Sequence, residues 1–201
     1  KMSDAIRVGL VGFGYASKTF HAPLIGGTPG MALKAVASSD ADKVHADWPG
    51  VKVMSAPGDL LDDPDIDLVV IATPNDTHFP LAKAALEAGK HVVVDKPFTV
   101  TLSQARELES LAKHCGRILS VFHNRRWDSD FLTVSALINE GQLGEVCYFE
   151  SHFDRFRPQV RQRWREQAGP GSGIWYDLAP HLLDQVVVLF GLPVSITVDL
   201  A

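Results

Sequence analysis

A short apolar run, Ile6 to Val11, ends on Gly12-Phe13-Gly14-Tyr15 and opens at once into helix-compatible residues. Few features constrain a chain more. A buried strand that turns this tightly into a helix needs glycine where the backbone folds back on itself. It also needs glycine where the backbone must approach a ligand closely, and the new helix N-terminus then faces an anion. That is the entry of a dinucleotide-binding βαβ unit, with Gly12, Phe13, Gly14 and Tyr15 as the pyrophosphate turn. The third position of the pattern is Ser17, not glycine, so the pattern is incomplete. Its plain alternative is an ordinary strand-to-helix turn.

The rest of the first 122 residues favours the nucleotide unit. Leu33 to Ala37, Val51 to Met54, Ile66 to Ala72, His91 to Val94 and Ile118 to Val121 are short apolar runs, as expected of strands covered on both faces. Helical segments lie between them. Pro23 is expected to kink or end the first. Thr77 is placed to cap a second, with Pro80 in its first turn and Gly89 at its end. Thr101 and Gln104 have the spacing of a capping box, with Gly116 as terminator. Strands alternating with helices imply a parallel sheet with crossover helices.

From about residue 123 the pattern changes. A helix over Phe131 to Asn139 leads to Val146–Phe153, which alternates like a strand with one wet face; a glycine-rich turn and a strongly apolar helix come next. Ile196 to Ala201 reads as a further strand. The expected fold is thus α/β: a doubly wound parallel Rossmann sheet over residues 1–122. Residues 123–201 then begin an α+β domain with an open, mainly antiparallel sheet, truncated where the chain stops.

Composition narrows the function. A net charge of −5 and a pI near 5.9 lack the basic excess of a nucleic-acid binder. The two cysteines, Cys115 and Cys147, form no metal-ligand pattern, so no metal site is expected and a reducing, cytoplasmic location fits. No apolar run reaches the length of a membrane span.

Three clusters carry chemistry. The second strand runs into Ser38-Ser39-Asp40, where an acidic residue would accept from an adenosine 2′-hydroxyl and repel a 2′-phosphate. Two small hydroxyls with Lys43 nearby tilt the reading toward NADP over NAD, although Asp40 lies close enough to take the acidic role. Next, Thr73-Pro74-Asn75-Asp76-Thr77-His78 and Asp95-Lys96-Pro97 come directly after strands, at the carboxyl ends where open parallel sheets bind ligands. A lysine in such a turn is either an ordinary surface residue or an acid–base group; the position at the crevice favours the second. Last, Asp177 and His181 are four apart and share one helical face, with Asp184 a turn beyond. The plain reading of that pair is a capping Asp with a packed His; the functional one is a catalytic pair.

Together these residues resemble the glucose–fructose oxidoreductase / inositol dehydrogenase (Gfo/Idh/MocA) family. The likeness rests on the glycine turn, the Thr-Pro-Asn turn ending in His78, Asp95-Lys96-Pro97, Asn124-Arg125-Arg126-Trp127-Asp128 and the Asp177…His181 helix. It implies that Lys96, Asp177 and His181 form the catalytic group and that the Lys96–Pro97 peptide is often cis. It further implies that Asn75 and His78 lie along the cofactor, beside Thr73, Pro74, Asp95 and Lys96. Asp95 replaces the family's usual glutamate, Ser17 its third glycine, and Ser38 stands where many members have an acid. Family members continue well past residue 201, so the second domain is expected to be incomplete.

The activity so implied is hydride transfer between NAD(P) and a hydroxyl carbon of a sugar, inositol or related polyol. His181 takes the hydroxyl proton, and Asp177 and Lys96 orient the oxygen. The rivals are a non-catalytic NAD(P)-binding sensor, which would not need all three residues, and an inactive fragment of an enzyme. A homo-oligomer is expected, with no nucleic-acid or membrane partner. Arg155, Arg157, Arg161, Arg163 and Arg165 suggest either an acidic-substrate site or an exposed arm that packs on another subunit, and the arm is favoured.

Overall fold

The apolar runs become one six-stranded sheet. Its strands are β1 (Ile6–Val11), β2 (Met31–Ala37), β3 (Lys52–Met54), β4 (Leu68–Ile71), β5 (His91–Asp95) and β6 (Leu119–Phe122). In this computed structural model every pairing is parallel and the order is β3-β2-β1-β4-β5-β6, with the direction of winding reversing between β1 and β4. The structure describes residues 5–154, 156, 158–159 and 166–199. The chain divides into two units, Lys1–Phe122 and His123–Ala201.

Successive strand residues point to opposite faces, and each face is covered. Val69, Ile71, Val92, Val94 and Val11 pack under α3 (Pro57–Leu61), α4 (His78–Glu87) and α5 (Leu102–Cys115). Val8, Leu10, Val36 and Val70 pack under α1 (Ala22–Gly27) and α2 (Ala41–His45). Gly9 faces the first layer, and a Cβ there would lie 2.6 Å from Leu60 Cδ2, so the glycine admits the α3 leucine. At the amino ends, Asp67 accepts from Arg7 Nε at 2.9 Å, from Nη2 at 2.7 Å and from the Arg7 backbone at 2.9 Å. That fork ties β1 to β4, and the Arg7 hydrogen bonds hold the Asp67 carboxyl down at about 2.

The capping box forms as the spacing predicts: Thr101 Oγ1 accepts from Gln104 N, and Thr101 N donates to Gln104 Oε1. Two details differ from the local expectations. Pro23 does not end its helix, which runs from residue 15 to 27. The turn before it, Ser17–His21, widens to π geometry, with Ala22 N–H donating to Ser17 O. Proline lacks a donor and crowds the carbonyl four residues back, and here it sits where the helical register has already shifted. Thr77 makes no side-chain cap on α4. Its hydroxyl donates back to Pro74 O at 2.6 Å, closing a short 3₁₀ turn over Asn75–Thr77.

In the second unit a 3₁₀ turn, Asn124–Trp127, precedes α6 (Ser129–Asn139), and α7 spans Gly173–Phe190. Val146–Phe153 and the described part of the final segment carry no regular structure and pair with no strand among the described residues, so neither expected strand is formed there. Alternating sequence alone does not make a strand; a ladder partner does. Among the described residues no helix is long and apolar enough to cross a membrane.

Candidate active site

The carboxyl ends of β1, β2, β4 and β5 meet at one edge of the sheet, and Gly12 sits among them. Its N–H donates to Ala37 O at the end of β2, while Ala72 N–H, just past β4, donates to Val11 O. Gly12 has φ +88°, and a Cβ there would lie 2.8 Å from Ala72 O and 3.0 Å from Thr73 Cγ2. No side chain fits. Gly14 differs: a Cβ would meet nothing within 4 Å, so its bareness faces open space and not a neighbour. Ser17 is fully buried and its hydroxyl donates to Gly12 O at 2.8 Å, tying the helix back onto the turn. A small side chain with a donor thus fills the third position. Phe13 is buried in the core, and Tyr15 is 77% exposed at the start of the helix.

A groove of about 430 Å³ runs from this turn along the end of β2, lined by Gly12, Gly14, Ser38, Ser39, Lys43 and Thr73 among others. A larger concavity, about 990 Å³, lies at the amino ends of the strands beside Arg7, Asp67 and His91. Ligands of open parallel sheets bind outside the carboxyl ends, where the helix N-termini converge, so the smaller groove is the candidate. Within it Asp40 is the N-cap of α2: its Oδ1 accepts from Lys43 N at 3.0 Å. The Asp40 backbone N–H points to Ser38 Oγ at 3.2 Å. The carboxylate best placed to meet a ribose therefore already serves a helix end.

The turns after β4 and β5 are knitted together. His78 is fully buried, with Nδ1 2.8 Å from Pro97 O and Nε2 3.0 Å from Thr73 O. Asn75 is also buried, whereas Pro74 is exposed. His78 thus joins two backbone turns, with both ring nitrogens directed at their carbonyls. The Thr73 and Thr77 hydroxyls lie 2.6 Å apart beside it. Asp95 closes β5, and its Oδ1 accepts from Lys96 N at 2.8 Å. The Lys96–Pro97 peptide is cis. Burial pushes the Asp95 carboxyl up, but the His21 ring and the Lys96 backbone and charge outweigh it, leaving the carboxyl below its ordinary value.

In the second unit Asp177 and His181 lie one turn apart on α7, and His181 is buried. Ser172 is the N-cap of this helix, so Asp177 is an interior residue and not a cap. Phe153 lies edge-on to the His181 ring at 6.5 Å, and the Arg125 guanidinium stacks over Phe153 at 4.8 Å. Asp184 accepts both arms of Arg126, at 2.7 and 2.6 Å, which raises the guanidinium pKa, and lies 3.7 Å from His123. Gln185 Nε2 donates to Arg125 O, so α7 holds the Asn124–Trp127 turn through Asp184 and Gln185. Arg155, Arg157, Arg161, Arg163 and Arg165 lie outside the described residues.

Lys96 belongs to the first unit and the Asp177–His181 pair to the second. Two neighbours of these groups carry no pattern signal of their own. Phe153 was legible only as part of an alternating run. His21, buried beside Asp95, is four residues after the inward-facing Ser17. That i, i+4 spacing is the one hint the sequence offers for it.

The chain matches known proteins along nearly all its length. The profile for Gfo/Idh/MocA proteins described as "Oxidoreductase family, NAD-binding Rossmann fold" matches residues 6–123. That described as "Oxidoreductase family, C-terminal alpha/beta domain" matches residues 135–201. The chain is 79% identical, over its whole length, to the uncharacterized oxidoreductase YdgJ of Escherichia coli K12, and covers 58% of that protein. Identity to scyllo-inositol 2-dehydrogenase (NADP(+)) IolW of Bacillus subtilis 168 is 39%, over 98% of this chain and 55% of that protein. The solved structure of YPO2259 from Yersinia pestis superposes with a TM-score of 0.90 at 71% identity, covering 96% of this chain and 54% of that one. The chain thus spans about half the length of the relatives it matches. With both domain profiles satisfied in order on a six-stranded parallel sheet, this chain belongs to the Gfo/Idh/MocA family of oxidoreductases with an NAD(P)-binding Rossmann fold.

Proposed function

We propose that this protein is an NADP-dependent dehydrogenase acting on a hydroxyl carbon of a sugar, inositol or related polyol. The observation that carries the cofactor half is the commitment of Asp40 to the cap of α2. Its Oδ1 accepts from Lys43 N, and the groove presents Ser38, Ser39 and Lys43 beside it at the ribose end. An anionic 2′-phosphate is met there by hydroxyls and an ammonium, and charge-assisted contacts of this kind are the strong ones. Gly12, Phe13, Gly14 and Tyr15 form the pyrophosphate turn, and Gly14 leaves the space open for it. Thr73, Pro74, Asn75 and Asp95 shape the turns beyond, where the nicotinamide end belongs.

When bound, the nicotinamide supplies the hydride acceptor. His181 takes the hydroxyl proton as the carbon is oxidised. Asp177 orients that histidine and the substrate oxygen. Lys96 steadies the oxygen as charge develops on it. The polyol class is supported by the activity for which the Bacillus subtilis relative is named, a scyllo-inositol dehydrogenase using NADP(+).

The test is nicotinamide absorbance on mixing the full chain with NADP+ and a panel of inositols, aldoses and acyclic polyols. Reduction with at least one of these, lost in His181→Ala, is the expected result. Tight cofactor binding with no reduction by any of them would favour a sensor on the same fold.

A further inference from the structure

We propose that His21 and His78 are positioning residues for Lys96, gripping the Asp95–Pro97 turn from its two ends. The inference rests on the reading of Lys96 as a catalytic group. It adds two residues to the three catalytic groups of that reading.

The grip on the first end runs through Asp95. One carboxylate oxygen is spent on the backbone N–H of Lys96, at 2.8 Å. The other lies 3.7 Å from His21 Nε2. Both side chains are withdrawn from water, His21 at 4% exposure and Asp95 at 14%. The approach of His21 to Asp95 is a charge contact longer than a hydrogen bond, and the imidazole also packs on Phe122 at the end of β6, with ring centroids 4.4 Å apart. His21 closes the π-widened turn that comes after the glycine turn. Such insertions in a helix gather at functional sites. Here the widened turn delivers an imidazole to the strand end that carries Lys96.

The second end is held by backbone. His78 Nδ1 contacts Pro97 O, and Nε2 contacts Thr73 O, with the ring fully buried. Each histidine therefore stems from an element at the proposed cofactor groove: one from the helix after Gly14, the other from the turn containing Thr73. Between them they fix the peptide on either side of Lys96. A lysine has four rotatable carbons of its own, so a set backbone is what limits where its amine can go. Displacement of a reacting group by about 1 Å is enough to cost about 100-fold in rate.

At each histidine the test compares a variant that lacks a nitrogen directed at the Asp95–Pro97 turn with one that keeps it. His21→Phe preserves packing on Phe122 and removes the atom facing Asp95; His21→Gln keeps a donor at the reach of Nε2. His78→Asn keeps a donor at the reach of Nδ1, toward Pro97 O; His78→Gln keeps one only toward Thr73 O. Steady-state kinetics, thermal melting and NADP+ titration are run on all four in the full chain, beside Lys96→Ala. The expected result is kcat reduced about 10- to 100-fold in His21→Phe and His78→Gln, with cofactor Kd within about threefold of the parent. His21→Gln and His78→Asn should recover most of the lost kcat.

If the paired variants have equal kcat while their melting temperatures differ, the histidines are merely structural and the proposal fails. It fails also if both donor-deficient variants turn over at the parental rate while Lys96→Ala is inactive. A Lys96→Ala protein with parental turnover removes instead the underlying reading of the lysine. Should one donor-deficient variant fold poorly, the paired variant at the other histidine decides by the same kcat comparison.

Discussion

The two glycines of the turn should fail in different ways. Gly12 has φ +88°, which costs an L-residue about 1–2 kcal/mol. Its new Cβ would also stand 2.8 Å from Ala72 O, a backbone atom between two strands that cannot swing away. Overpacking of this kind costs about 1–3 kcal/mol. Gly12→Ala should therefore lose about 3 kcal/mol, and at about 2–4 °C per kcal/mol the melting temperature should fall by about 10 °C. Gly14 meets nothing within 4 Å, so Gly14→Val should leave melting within about 2 °C of the parent. The valine occupies the space a pyrophosphate needs, and NADP+ affinity should drop at least about 10-fold, or about 1.4 kcal/mol. Melting by circular dichroism and fluorescence titration of the cofactor read the two effects separately. A Gly12→Ala protein that melts with the parent, or a Gly14→Val protein with unchanged affinity, refutes the assignment of space to these positions.

Other perturbations act on named contacts. The Asp67 carboxyl falls from 3.8 to about 2, which corresponds to about 2.4 kcal/mol; at 37% exposure, solvent screening leaves about 1 kcal/mol. Because that pKa is depressed, the stabilisation is full above pH 4 and is lost as pH falls toward 2. Urea unfolding should show Asp67→Asn weaker by about 1 kcal/mol at pH 7, with the gap closing over that acid window. Gly9→Ala should lower stability by about 1–3 kcal/mol, since its Cβ would press on buried Leu60, without changing cofactor affinity. Lys96→Ala and His181→Ala should each cut kcat at least about 100-fold in the full chain and leave NADP+ binding nearly intact, because in the proposed mechanism both act on the substrate oxygen.

The strands were legible because a parallel sheet covered on both faces demands continuous apolar runs, and Ile6–Val11 and His91–Val94 are such runs. The α5 cap was legible because Thr101 and Gln104 act only on their own backbone neighbours. Helices α2 and α3 span five residues each, too few to show a period, and they appear only when the crossovers are traced. The tolerance of Pro23 depends on a register shift in the five-residue turn Ser17–His21 just before it, which composition does not signal. At the site, Gly12 and Gly14 were visible, but the division of labour between them was not, because it depends on where Ala72 O lies. Whether Asp40 meets a ribose or caps a helix is likewise decided by the first turn of α2. His78 was legible through its motif as a group beside the groove, and the two carbonyls at its nitrogens add what it holds.

The central claim is that the groove beside Gly12 is built for a phosphorylated dinucleotide, and side-by-side titration of NADP+ and NAD+ tests it most directly. A charge-assisted contact from Lys43 with hydroxyl support from Ser38 and Ser39 contributes about 1.5–3 kcal/mol to the 2′-phosphate. NADP+ should therefore bind at least about 10-fold more tightly than NAD+. Lys43→Ala should remove most of that preference, and Ser38→Asp should reverse it by placing an uncommitted carboxylate beside the ribose. Equal affinities in the parent, or tighter NAD+ binding that survives Ser38→Asp unchanged, would contradict the account and return Asp40 to the ribose.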